Sequence, residues 1–187
     1  MIDLTKGVLP DCITVGGTFY PLHVDFHYWI RFSLLARDER DATEYDFMYL
    51  DGERIPEDRA AGFAELMKFA FPRNRLPRPV DMGRGEDVIY HDWETDGDLV
   101  YAAFYQQYGI DLTESRMHWH KFLALFNGLR ETKMTDVMGF RGWTRPKVKL
   151  SDYDREQEKL REAWRIDPYY TKAEKEKIER FESLLRD

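Results

Sequence analysis

The sequence predicts a mainly α protein: a helical domain with a small N-terminal β-hairpin and a charged C-terminal helical extension. Three observations predict it. Most of the chain repeats apolar residues at three- and four-residue spacing. Two β-prone runs meet at one place only, either side of Gly16-Gly17. After Leu150, charges of both signs alternate around a thin apolar stripe, the pattern of solvated helices. We assign residues 1–150 to one domain and residues 151–187 to the extension, since 187 residues leave little room for two full domains.

The elements follow in order. Ile13-Thr14-Val15 and Thr18-Phe19-Tyr20 flank a Gly-Gly turn, which supplies the positive φ a two-residue hairpin needs. Pro21 confines the second strand to an edge or an end. Asp25 caps a helix from Phe26 to about Arg37, with Phe26, Trp29 and Ile30 on one face. Glu39 to Glu44 reads as loop. Pro56 opens a second helix that runs to about Phe71. Pro72, Pro77 and Pro79 then begin a linker that extends through Gly85. Asp96 or a neighbour starts a helix over Leu99 to Tyr108, and Gly109 ends it. Thr113 caps a helix to about Leu129, built around Trp119, Phe122 and Phe126. A short helical piece covers Thr135 to Met138. Ser151 caps a helix carrying Leu160 and Trp164, broken by Asp167-Pro168. Thr171-x-x-Glu174 is a capping box for a last helix with Ile178, Phe181 and Leu185 as its stripe.

Charge narrows the function classes. The chain has 28 basic and 35 acidic residues, a net charge of −7. Coating nucleic acid or an anionic membrane needs a basic face, so both are disfavoured. No apolar run reaches the roughly 18 residues of a membrane span. Met1 to Lys6 lacks the layout of a signal peptide. The single cysteine, Cys12, makes neither an internal disulfide nor a cysteine zinc site. The charge is also uneven. Asp81, Glu86, Asp87, Asp92, Glu94, Asp96 and Asp98 are opposed only by Arg84, so residues 81–100 hold nearly all of the excess. The basic stretch from Arg130 to Lys149 is the natural counterpart of this connector, in the same chain or in a neighbouring subunit.

Motifs for chemistry are sparse. No nucleophile elbow, P-loop, dinucleotide fingerprint or H-E-x-x-H occurs. His118 and His120, two residues apart, would point about 200° away from each other on a helix, His118 toward the core edge and His120 toward solvent. His23 and His27 are separated by the capping Asp25. His91, Asp92, Asp96 and Asp98 offer oxygen and imidazole ligands for a cation, without EF-hand spacing. We therefore expect no enzyme, no cofactor and no metal. A metal-dependent enzyme or cation-binding protein using residues 91–98 is the alternative. A nucleic-acid-binding regulator using residues 130–149, with Phe140 and Trp143, is another.

One long stretch carries a resemblance. Asp96-Gly97-Asp98-Leu99-Val100-Tyr101-Ala102-Ala103-Phe104-Tyr105-Gln106-Gln107-Tyr108-Gly109-Ile110-Asp111-Leu112 precedes Met117-His118-Trp119-His120-Lys121-Phe122, and Asp136-Val137-Met138-Gly139-Phe140-Arg141 follows. Tyr20-Pro21, Asp25 and Trp29-Ile30 agree further upstream. The chain resembles a family of small phage and prophage proteins encoded just before the tape-measure gene in long-tailed phages of Gram-positive hosts. The resemblance spans most of residues 13–145. It implies a tail-assembly chaperone that holds the tape-measure protein, the tail-tube protein or both, without catalysis. It further implies a site in the host bacterial cytoplasm and absence from the mature virion. Self-association is left open. Candidate partner-binding residues are Asp92, Trp93, Asp96, Asp98, Tyr101, Tyr105, Tyr108 and Trp119.

Overall fold

Gly16 and Gly17, at φ 57° and 83°, close the hairpin as the sequence requires. The computed structural model describes residues 2–52, 54–72 and 88–169. Strands β1 (Cys12–Val15) and β2 (Thr18–Pro21) pair antiparallel, with Ile13 opposite Tyr20 and Val15 opposite Thr18. Pro21 sits at the strand end, where it need not donate to β1.

Helix α1 spans Phe26–Arg37, the predicted bounds. The Asp25 carboxylate accepts from the His27 amide at 3.1 Å, filling one of the N-terminal N–H vacancies. Trp29 and Phe32 lie fully buried beneath it. The expected loop after α1 is in part a 3₁₀ helix, Ala42–Met48. Asp41 caps it through the Thr43 amide, and Tyr45 and Met48 anchor it in the core. Helix α2 runs Arg59–Ala70. It begins three residues after the expected Pro56, because Asp58 supplies the cap to the Ala61 amide. Pro56 instead packs over Gly62, where a Cβ would stand 2.7 Å from the Tyr49 hydroxyl and 3.2 Å from Pro56 Cγ.

Helix α3 (Gly97–Tyr108) ends at Gly109 in the left-handed region, φ 65°. Helix α4 covers Trp119–Asn127, starting five residues later than a cap at Thr113 would place it. Thr113 is held in a turn by Asp111, and His118 caps the helix instead: its Nδ1 accepts from the His120 amide at 3.0 Å. Helix α5 (Lys133–Gly142) is longer than the expected Thr135–Met138 piece. A Thr132/Thr135 capping box begins it, and its glycines stay helical. Helix α6 (Asp152–Trp164) starts at the predicted Ser151 cap, reinforced by Asp154. The predicted last helix from Thr171 and the acidic positions 81, 86 and 87 lie outside the described residues.

The core is aromatic and continuous. Phe122 of α4 stacks on Phe26 at 4.7 Å and on Phe104 at 5.0 Å, joining α1, α3 and α4. Trp29 stacks on Phe69 at 4.6 Å and so brings in α2. Both buried indoles satisfy their N–H groups, Trp29 on His23 O at 2.9 Å and Trp119 on Ala70 O at 2.8 Å. Backbone bonds from Phe26 N to Met117 O and from Trp119 N to Val24 O lace the starts of α1 and α4 together. Helix α6 packs on α5, and α5 on α3. No helix among the described residues is long and apolar enough to cross a membrane.

Candidate partner-binding site

The acidic connector is organised around two arginines. Between Val88 and Asp98 the chain coils so that the Asp92 amide donates to Asp96 Oδ2 at 3.0 Å and the Asp96 amide donates to Asp92 O at 2.9 Å. Asp92 Oδ1 accepts from the Thr95 amide at 2.8 Å and from Glu94 at 3.2 Å. Asp96 then meets Arg141 of α5 in a bidentate pair, 2.6 and 2.9 Å. The side chains are 4% and 2% exposed, so this pair is desolvated. The guanidinium also donates from Nη1 to Tyr90 O at 3.1 Å and from Nε to Trp164 O at 2.7 Å. One side chain thereby ties the connector, α3, α5 and the end of α6. A planar fork with several fixed donors suits that task, and lysine would not.

Arg37, at the end of α1, takes the other acids. It donates to Asp92 at 3.2 Å, to Glu94 at 3.1 Å and to Asp38 at 3.0 Å. Its Cζ lies 4.4 Å from the Tyr169 ring centre. Burial works against the charge of Arg37, yet hydrogen bonds to Asp38 and Glu94 hold its pKa above the ordinary value. Burial likewise opposes ionisation of Asp92, but the Thr95 amide, the Tyr169 hydroxyl and Arg37 keep its carboxyl below the usual range. Tyr169 is pushed up to about 12, by burial first and by Asp92 second.

Among the described residues, the expected meeting of the acidic connector with residues 130–149 occurs through the pair of Asp96 with Arg141, within the same chain. Asp92 and Glu94 turn to α1 instead. Arg145 pairs with Glu158 of α6 at 3.2 Å. With Asp92 and Asp96 engaged in this way, no group of three His, Cys, Asp or Glu among the described residues is placed to hold a metal ion.

The eight candidate residues fall into three sets. Asp92 and Asp96 are buried in the arginine ties, and Trp119 is 0% exposed in the core. These three are not on the surface of this chain. Trp93 is half-buried, edge-on to Phe126 at 5.0 Å and near Phe122 at 5.6 Å. Tyr108 is half-buried and donates to Leu125 O at 2.8 Å. The other three share the outer face of α3 at i, i+3 and i+7. Asp98 is exposed, Tyr101 is half-buried with its hydroxyl 3.3 Å from Asp111, and Tyr105 is 58% exposed. The two tyrosine rings stack at 6.2 Å. Ala102, also exposed, lies between them on the helix.

The histidines depart from expectation at one position. His120 is 5% exposed rather than turned to solvent, because the end of α2 covers that side of α4. Its ring stacks on Phe69 at 4.6 Å and Nε2 lies 3.0 Å from Phe69 O. A carbonyl only accepts, so Nε2 carries the proton. Burial lowers the His120 pKa to about 4. His118 is half-buried, as expected, with Nε2 2.8 Å from Pro10 O. Burial lowers His118 and also His91, whose ring packs against Trp93 and Phe126. The charge pattern pointed to the stretch that holds Arg141 but gave no signal for Arg37 or Tyr169, whose partners are distant in the chain.

Fold and site together define a small, mainly helical protein in which Arg37 and Arg141 pair with Asp92, Glu94 and Asp96 of the connector and the third helix keeps an acidic, aromatic outer face. A family model described as Bacteriophage Gp15 protein matches residues 6–166, and the chain belongs to this family of bacteriophage proteins. The match runs through the whole of α6. No curated protein and no solved structure matches the chain.

Proposed function

We propose that the protein is a non-catalytic phage tail-assembly chaperone. It binds the tape-measure protein transiently in the host bacterial cytoplasm and releases it as tail-tube subunits arrive. Membership of a phage protein family supports the phage setting. The observation that carries the binding role is the outer face of α3. Asp98, Tyr101 and Tyr105 stand on a helix whose inner side is locked to the core by Val100, Ala103 and Phe104. A rigid face with two stacked tyrosines offers contact area at low entropic cost. A tape-measure helix exposes an apolar stripe before the tube encloses it, and the mode is helix against helix at i, i+3 and i+7.

The test is co-expression with the tape-measure protein of the same phage. The tape-measure protein becomes soluble with this chain and stays insoluble without it. Tyr105→Ala weakens the complex about tenfold, the size of a modest interface hot spot, while the melting temperature of the free protein holds. Equal solubility with and without the chain would end the chaperone reading. Rescue that Tyr105→Ala and Asp98→Lys leave untouched would move the interface off α3.

A further inference from the structure

The outer face of α3 joins two kinds of negative surface. The Tyr101 and Tyr105 rings stack with 14° between their planes, and Tyr105 is 58% exposed. The face of an aromatic ring carries partial negative charge and attracts a cation. Carboxylates gather at the Tyr101 end. Asp98 stands one turn earlier on the same helix face, and Asp111 accepts from the Tyr101 hydroxyl at 3.3 Å. Burial raises the pKa of that hydroxyl, and the charges of Asp111 and Glu114 raise it further.

Among the described residues, no lysine or arginine pairs with Asp98, Asp111 or Glu114. Arg116, two residues past Glu114, lies toward Asp25 instead, at 3.9 Å. Elsewhere the chain covers rings with its own cations. The Arg31 guanidinium stands 4.2 Å from the Phe47 ring centre, and the Lys133 ammonium 5.2 Å from that of Trp164. No described cation covers Tyr101 or Tyr105 in this way.

We propose that this face seats a lysine or arginine side chain of the partner helix on the tyrosine stack, beside Asp98 and Asp111, with an apolar side chain of the partner against Tyr105. Charge complementarity selects the basic occupant: Asp98, Asp111 and Glu114 carry one sign, and the ring faces add to it. The spacing follows from α3. Tyr101 and Tyr105 are four residues apart, about 6 Å along the helix, so the partner carries its basic and apolar residues one turn apart. The inference rests on the reading of α3 as the binding face and adds the charge of what binds there.

The experiment is an NMR amide titration of the full chain with two 18-residue alanine-based helical peptides. One bears leucine and lysine four residues apart; the other has glutamine in place of the lysine. Shifts centred on Asp98, Ala102 and Tyr105 are expected, with the lysine peptide bound about fivefold more tightly, the upper range of an exposed ion pair. Raising the salt from about 0.05 to 0.5 M removes most of that preference. Asp98→Asn with Glu114→Gln removes it as well. Asp136→Asn with Glu156→Gln, exposed acids of α5 and α6, lowers the net charge equally and preserves it. Equal affinity for the two peptides, or shifts away from α3, overturns the proposal. A preference that both paired variants weaken alike reports general acidity and overturns it too. The chaperone reading fails separately: its measure is tape-measure solubility, which the wild-type chain either restores or does not, whatever the peptides do.

Discussion

Arg141→Met lowers the stability of the fold by about 3–5 kcal/mol, the cost of leaving a buried carboxylate without its counter-ion. Among the described residues Asp96 pairs with no other cation, and Arg141 holds its two oxygens at 2.6 and 2.9 Å. The same substitution strips donors from Tyr90 O and Trp164 O, so the connector and the end of α6 both loosen. Asp96→Asn, which keeps the shape and removes the charge, gives a smaller but clear loss. The paired change Asp96→Leu with Arg141→Met recovers part of the deficit, because no lone charge is then left inside. Urea unfolding measures all three, with the midpoint read at constant slope. A single-variant loss below about 1 kcal/mol, the range of an exposed pair, would show that water reaches this tie in solution.

Acidification destabilises the protein between pH 6.5 and 4, and His120 is the main cause. Its folded pKa of about 4 lies well below the ordinary histidine value of 6.5. Above pH 6.5 the ring is neutral in both states, and the stability it allows is fully present. Between the two values the unfolded chain takes up a proton that the folded chain refuses, so stability is lost as pH falls. The span amounts to about 3 kcal/mol. For a chain of this size that is a fall of roughly 6–12 °C in melting temperature. His91 and His118 are lowered by burial as well and act in the same sense. Asp92 adds to the loss only further down, in the carboxylate range. His120→Gln keeps a donor for Phe69 O and does not titrate. Its stability curve should be flatter by about 1.4 kcal/mol per pH unit within that window. Matching slopes for the two proteins would mean that His120 is solvated.

Elements with local signals were legible in the sequence. Gly16-Gly17 dictates the hairpin, and Asp25 and Ser151 fix the starts of α1 and α6 through bonds to residues two or three positions on. The start of α4 was not legible, for a physical reason. His118 serves as its cap only because Nε2 faces Pro10 O, 108 residues away, leaving Nδ1 free to accept from His120. The Thr132 cap of α5 was missed because its partner at the third position is Thr135, not the usual Glu or Gln. The candidate site was half legible. Helical spacing places Asp98, Tyr101 and Tyr105 on one face of α3. Nothing in spacing tells that Asp92, Asp96 and Trp119 face inward, since that depends on Arg37, Arg141 and the end of α2.

The ties at Arg141 also set an order of events. Asp96 leaves the ribosome first, Arg141 follows 45 residues later, and Trp164 another 23 after that. At ordinary elongation rates, roughly 5–20 residues per second, several seconds separate the first partner from the last. Until Arg141 emerges, α3 and α4 are held by their aromatic contacts and by bonds such as Tyr108 to Leu125 O, and the Asp96 carboxylate remains in water. The strongest polar lock in the domain closes last, so until residue 164 has emerged the nascent protein keeps a hydrated seam through its centre.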